Sequence, residues 1–134
     1  MVFSADESEW PIVKLTIEGY FTPTDMREYF ELADRLVGGD RRYAMVYDAR
    51  NLKTPDAAFV RKQAQWTKAN LEGMGRMNLG MAFVINNAMV RGFLRAVLYW
   101  QRLPVPHSVH DNLDSGLEWA RERCELVKPP GAGA

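Results

Sequence analysis

The sequence predicts an α/β fold: a single mixed, mostly parallel sheet of about five strands with four helices packed on it. Three observations predict it. Apolar runs of strand length alternate along the chain with longer stretches of helical spacing. Two helical stretches open on one signal, Thr22-Pro23-Thr24-Asp25 and Thr54-Pro55-Asp56. The runs Tyr43 to Tyr47 and Leu79 to Ile85 are almost continuously apolar, as expected for strands covered on both faces.

The elements follow in order. Val2 to Ala5 reads as a short first strand and Asp6 to Glu9 as a polar turn. From Trp10 to Tyr20 the pattern alternates, with Val13, Leu15 and Ile17 on one face and Lys14, Thr16 and Glu18 on the other. Thr22 can cap a first helix, Pro23 suits its first position, and Asp25 favours the positive end of its dipole. Met26, Tyr29, Phe30, Ala33, Leu36 and Val37 recur at helical spacing, and Gly38-Gly39 ends the helix. Tyr43 to Tyr47 forms a central strand, followed by a loop from Asp48. A second helix opens at Thr54, presents Val60, Ala64, Thr67, Leu71 and Met74, and closes at Gly73 and Gly75. Leu79 to Ile85 is the next strand, and Asn86-Asn87 is a turn and cap. A third helix spans about Ala88 to Leu103, with Val90, Phe93, Leu94, Val97 and Leu98 inward, until Pro104 and Pro106 break it. Ser108 to His110 is a last strand. Asn112 caps a final helix with Leu113, Leu117, Ala120 and Cys124 as its stripe. The order β-β-α-β-α-β-α-β-α implies right-handed crossovers. Residues 1–127 read as one domain and 128–134 as a flexible tail.

The chain has 134 residues, 47% hydrophobic and 25% charged, a globular composition. Its net charge of zero argues against a nucleic-acid partner, which would favour a basic excess. Cys124 stands alone, so no internal disulfide forms, and the composition suits a reducing cytoplasm. The start lacks the pattern of a signal peptide, and no apolar run is long enough to cross a bilayer. The expected compartment is the cytoplasm.

Candidate site residues fall in two groups. Asp48, Arg50, Asn51 and Thr54 follow the central strand, where open α/β sheets meet their ligands. Asp48 can contact a partner or accept loop N–H groups, and Thr54 is a helix cap. Arg91, Arg95, Tyr99 and Trp100 on the third helix combine Arg with aromatic residues, the composition of binding hot spots, and also suit anionic headgroups. Arg61, Lys62, Trp66 and Lys68 repeat that case on the second helix. His107 and His110 alternate across a strand, so they do not share a face, and no third ligand completes a metal site. No GxGxxG, GxxxxGK[ST] or GxSxG pattern occurs. Neither a metal nor a cofactor is expected.

The pattern resembles the STAS superfamily, and within it the SpoIIAA-like proteins. The likeness runs through Val13-Lys14-Leu15-Thr16-Ile17-Glu18-Gly19-Tyr20-Phe21, Tyr43-Ala44-Met45-Val46-Tyr47-Asp48-Ala49-Arg50, Met81-Ala82-Phe83-Val84-Ile85 and Asp114-Ser115-Gly116-Leu117-Glu118-Trp119-Ala120. The resemblance implies a small non-enzymatic regulator that binds another protein, often a kinase-like anti-sigma factor. Such domains usually carry an Asp-Ser-Ser/Thr-Gly-type phospho-loop after a central strand. Here that loop reads Asp48-Ala49-Arg50-Asn51-Leu52-Lys53-Thr54-Pro55, with Thr54 its only hydroxyl. The expectation is a regulatory or scaffold domain acting by protein–protein contact, with a homodimer open. The alternative is a module for a small apolar ligand or lipid, since some relatives resemble lipid-binding CRAL-TRIO domains.

Overall fold

The computed structural model describes residues 3–20, 22–53, 57–100 and 104–126, side chains excepted at positions 57, 93 and 96–100. Strand β1 (Phe3–Glu9) pairs antiparallel with β2 (Ile12–Gly19) across a turn at Trp10-Pro11, whose peptide bond is cis. The polar residues Asp6 to Glu9 thus belong to a strand rather than to the expected turn. An outer strand needs only its backbone pairing and one buried face, and charged side chains protect its free edge. Phe3 supplies the buried contact, edge-on to Tyr29 at 6.1 Å.

Helix α1 (Pro23–Val37) starts as its sequence dictates. Thr22 Oγ1 accepts from the Asp25 N–H at 3.1 Å, and Asp25 Oδ2 accepts from the Thr22 N–H at 3.0 Å. That reciprocal pair satisfies two otherwise orphaned donors. Met26, Tyr29, Leu32, Ala33, Leu36 and Val37 bury one stripe, and the Gly38 N–H closes the helix onto Asp34 O.

Strand β3 (Tyr43–Leu52) is longer than its apolar run. The expected loop from Asp48 is strand through Leu52: a bulge after Asp48 shifts the register against β2, beyond it Asn51 and Leu52 pair with Glu18 and Gly19, and Ala49 and Leu52 both turn to the core. Helix α2 (Ala57–Ala69) and the short α3 (Leu71–Met77) replace the single helix expected after it. Asn70 makes the break. Its side chain donates to Trp66 O at 2.8 Å and its N–H to Thr67 O at 3.1 Å, so the ladder stops and restarts. Gly73 and Gly75 therefore lie inside α3 rather than after a helix. Strand β4 (Asn78–Val84), helix α4 (Ala88–Trp100), strand β5 (His107–His110) and helix α5 (Leu113–Leu126) complete the order. Residues 101–103, the expected end of the third helix, lie outside the described residues, as do Val2 and the proposed tail.

The strands lie side by side in chain order, β1-β2-β3-β4-β5, and β2 to β5 run parallel. Each crossover advances in one direction, so the right-handed rule places α1, α2 with α3, and α4 on one face. That face buries Val13, Leu15, Tyr43, Met45, Tyr47 and Met81 under Tyr29, Leu36, Met74 and Met77. Helix α5 returns along the opposite face, where Ala120 meets Ile12, Ala44, Val46, Ala82 and Val84.

Two glycines set how closely α5 approaches. A Cβ on Gly80 would lie 2.8 Å from the Trp119 ring and 3.0 Å from Arg123 Cγ. One on Gly116 would lie 2.9 Å from Val84 Cγ2. Overfilling such a contact costs typically 1–3 kcal/mol. Gly80→Ala should therefore lower stability by about 2 kcal/mol in urea unfolding, with the slope of the transition unchanged. An unchanged midpoint would show that α5 packs less tightly than this.

Candidate functional site

Asp48 stands near the C-terminal end of β3, in register with Thr16 of β2 and Val84 of β4. It shares the α5 side of the sheet with Ala44 and Val46, since strand side chains alternate. Arg50, two residues on, returns to that side. Its Nε donates to Asp48 Oδ1 at 2.8 Å and its Nη2 to Oδ2 at 2.9 Å. This is a bidentate, charge-assisted pair. The Asp48 side chain is only 12% exposed and the Arg50 side chain 36%. Hydrogen bonding from Arg50, opposed by burial and helped by the Lys14 charge, holds the Asp48 carboxyl below its ordinary range. The Arg50 guanidinium is raised in turn, through its hydrogen bond to Asp48.

Asn51 is exposed beside this pair. Lys53, also exposed, donates its N–H to Gly19 O at 2.8 Å, which ties the end of β3 to the end of β2. Of the four expected residues, Asp48, Arg50 and Asn51 come together on one strand end, and Thr54 lies outside the described residues. Tyr20 follows β2 at the same edge of the sheet and is 71% exposed.

The second expected group divides. Arg95 is exposed. Arg91 is half-buried and folds back, its Nη2 donating to Ile85 O at 3.0 Å. Its buried Nε has no hydrogen-bond partner among the described residues. The side chains of Tyr99 and Trp100 lie outside the description. Trp66 turns away from the exposed Arg61, Lys62 and Lys68, giving its indole N–H to Asp34 Oδ1 at 2.7 Å.

Sequence reasoning missed a third constellation. His110 Nδ1 lies 2.7 Å from Ser115 Oγ, and His110 Nε2 lies 2.6 Å from Ser108 Oγ. A neutral imidazole donates through one nitrogen and accepts through the other, so one serine hydroxyl donates and the other accepts. The signal was present. Ser108 and His110 are two apart on a strand, and a cap at Asn112 places Ser115 in the first turn of α5. Register pairs His110 with Val84, and Val84 with Asp48, so His110 and Asp48 sit two strand spacings apart, roughly 10 Å. The backbone donors beside Ser115 are already committed. The Ser115 N–H goes to Asn112 Oδ1 at 2.8 Å and the Gly116 N–H to Asn112 O at 3.4 Å. The network thus fastens β5 to α5 rather than facing a polarised carbonyl with free donors.

Between α1 and the sheet, buried phenols fill the space. The Tyr47 hydroxyl pairs with that of Tyr29, which also meets Gln63. Tyr47 stacks on Phe83 at 5.0 Å, and Tyr29 meets Phe30 and Phe59 at 5.0 and 5.9 Å. Burial pushes the Tyr43 phenol up to about 12. Burial likewise raises the half-buried Cys124 thiol. Among the described residues, no group of His, Cys, Asp and Glu could hold a metal ion, and no helix is long and apolar enough to cross a membrane.

The Asp48 carboxyl is depressed on folding, so its stabilisation is present above the unfolded value and lost as pH falls through the lower folded value. Asp48→Asn should lower stability by about 1 kcal/mol at neutral pH, as expected for a partly screened pair. That gap should close as pH falls below about 3.9. Parallel urea titrations of the two chains across this range make the comparison; a gap independent of pH would remove the ion pair as its cause.

No family model matches the chain, and no curated protein does. One similar solved structure is an uncharacterised protein of the DUF3478 family from Shewanella loihica PV-4. It is 12% identical, with a TM-score of 0.65 over 88% of this chain and 91% of that one. The fold described for that protein, SpoIIAA-like, is also the fold of this chain.

Proposed function

We propose that the chain is a non-enzymatic regulatory or scaffold domain that binds another protein at the C-terminal edge of its parallel strands. The observation that carries this reading is the Asp48–Arg50 pair, held at 2.8 and 2.9 Å on a strand end and flanked by exposed Asn51, Lys53 and Tyr20. A preordered edge loses little conformational entropy on binding. Tyr20 offers the anchor: a buried aromatic ring removes roughly 150–250 Å² from water, whereas exposed charge pairs add only about 0–1 kcal/mol each. The resemblance to STAS domains supports a partner protein as the occupant. The extension of β3 to Leu52, paired with β2 at Asn51 and Leu52, supports a fixed contact rather than a loop reshaped by phosphate.

Affinity capture from the native cell extract, read by mass spectrometry, tests the reading with the wild-type chain, Tyr20→Ala and Asn51→Arg. Both positions are exposed, so the thermal melts should coincide. A protein retained by the wild type should be lost or weakened about tenfold or more by each variant. Identical captured sets from all three chains would sink the proposal.

A further inference from the structure

The zero net charge conceals a sorted surface. Helix α2 carries Arg61, Lys62 and Lys68 and no acid, and α4 carries Arg91 and Arg95 and no acid. The acids gather elsewhere. Exposed Glu28, Glu31 and Asp34 lie on α1 beside Arg27 and Arg35, and Asp114, Glu118, Glu122 and Glu125 on α5 beside Arg121 and Arg123. Right-handed crossovers make α2 and α4 neighbours on one face of the sheet, α2 leading from β3 towards β4 and α4 from β4 to β5.

Their outward stripes differ in kind. On α2 the exposed positions are Arg61, Lys62, Gln65, Lys68 and Ala69, a basic stripe at helical spacing. On α4 they are Ala88, Met89, Gly92 and Arg95. Met89 is 70% exposed, and nothing lies within 4 Å of the Cβ position at Gly92. An outward helix face usually carries mixed charge. Among the described residues this one is small and apolar except for Arg95, and in sequence the helix ends on Tyr99-Trp100.

We infer that the α2–α4 face docks on an anionic lipid surface, with the basic stripe of α2 at the headgroups and the Met89 stripe of α4 at the acyl boundary. Cations beside an apolar strip, with no acid in either helix, match the charge and depth profile of that interface. An acidic protein would complement the α2 stripe but leave the apolar α4 stripe unexplained. The surface lies apart from the Asp48–Arg50 edge, which is on the α5 side of the sheet. The chain would lie on the bilayer, not cross it.

Co-sedimentation with vesicles of phosphatidylcholine alone, or with about one-third phosphatidylglycerol, tests this. Binding should require the anionic lipid and fade in about 1 M salt, where the Debye length is about 3 Å. Each basic residue near such a surface is worth about fivefold, so Lys62→Gln with Arg95→Gln should weaken binding about thirtyfold. Gln65→Glu places an acid in the same stripe and provides an independent second variant. Met89→Ser should weaken vesicle binding about tenfold while leaving binding to heparin, a soluble polyanion, unchanged. Tyr20→Ala, at the exposed partner edge, should leave vesicle binding unaltered, which separates the two surfaces. Equal binding to both vesicle types, or none, would overturn the inference. So would wild-type binding by the double variant and by Gln65→Glu, or a Met89→Ser chain that binds vesicles as tightly as the wild type.

Discussion

The structure depends on β3 being covered on both faces and paired on both sides. Tyr43, Met45 and Tyr47 face α1 and its neighbours, while Ala44 and Val46 face α5. A strand so placed must be apolar on every residue, which is why its sequence stands out as a continuous run. It also cannot slip, because a one-residue shift would exchange both sets of side chains. The four helices of one face and the single helix of the other are thereby referred to one register. Gly80 and Gly116 let α5 come close enough to cover its share.

That constraint explains what was legible beforehand. Burial drives the pattern of β2, α1, β3 and β4, so their spacing announced them. The Thr22–Asp25 cap and the Asn112 cap were equally clear, because capping is a local hydrogen-bond rule. The misread boundaries are those at which backbone pairing, not burial, decides. Asp48 to Leu52 looks polar, yet Asn51 and Leu52 pair with β2 beyond a bulge that turns both Ala49 and Leu52 inward, and Lys53 is tied to Gly19. Asp6 to Glu9 looks like a turn, yet an edge strand tolerates charge. Asn70 breaks a helix by a side-chain bond that propensity does not reveal.

The site divides along the same line. Asp48 was legible because an acid ends an apolar run, but its bidentate partner two residues away appears only once the segment is known to be strand. The Ser108–His110–Ser115 network required the first turn of α5 to fold over the end of β5, a tertiary fact. Arg91 and Arg95 share a helix side in sequence, yet the carbonyl of Ile85 draws one inward. What results is a molecule with two differently built surfaces. The Asp48–Arg50 edge is paired strand and mixed in charge, the surface proposed for a protein contact. The described part of the α2–α4 face is basic and apolar, the surface inferred to meet lipid. A domain that binds one and rests on the other could hold its partner at a membrane.

The partner edge depends on the segment after the apolar run being paired strand rather than open loop. Residue-resolved amide hydrogen exchange of the folded chain tests it most directly. The amides of β3 from Asp48 to Leu52 whose N–H groups pair with β2, together with the Lys53 amide bonded to Gly19 O, should exchange about as slowly as those of Met45 to Tyr47. Exchange at the rate of an open loop from Asp48 onward would contradict the account.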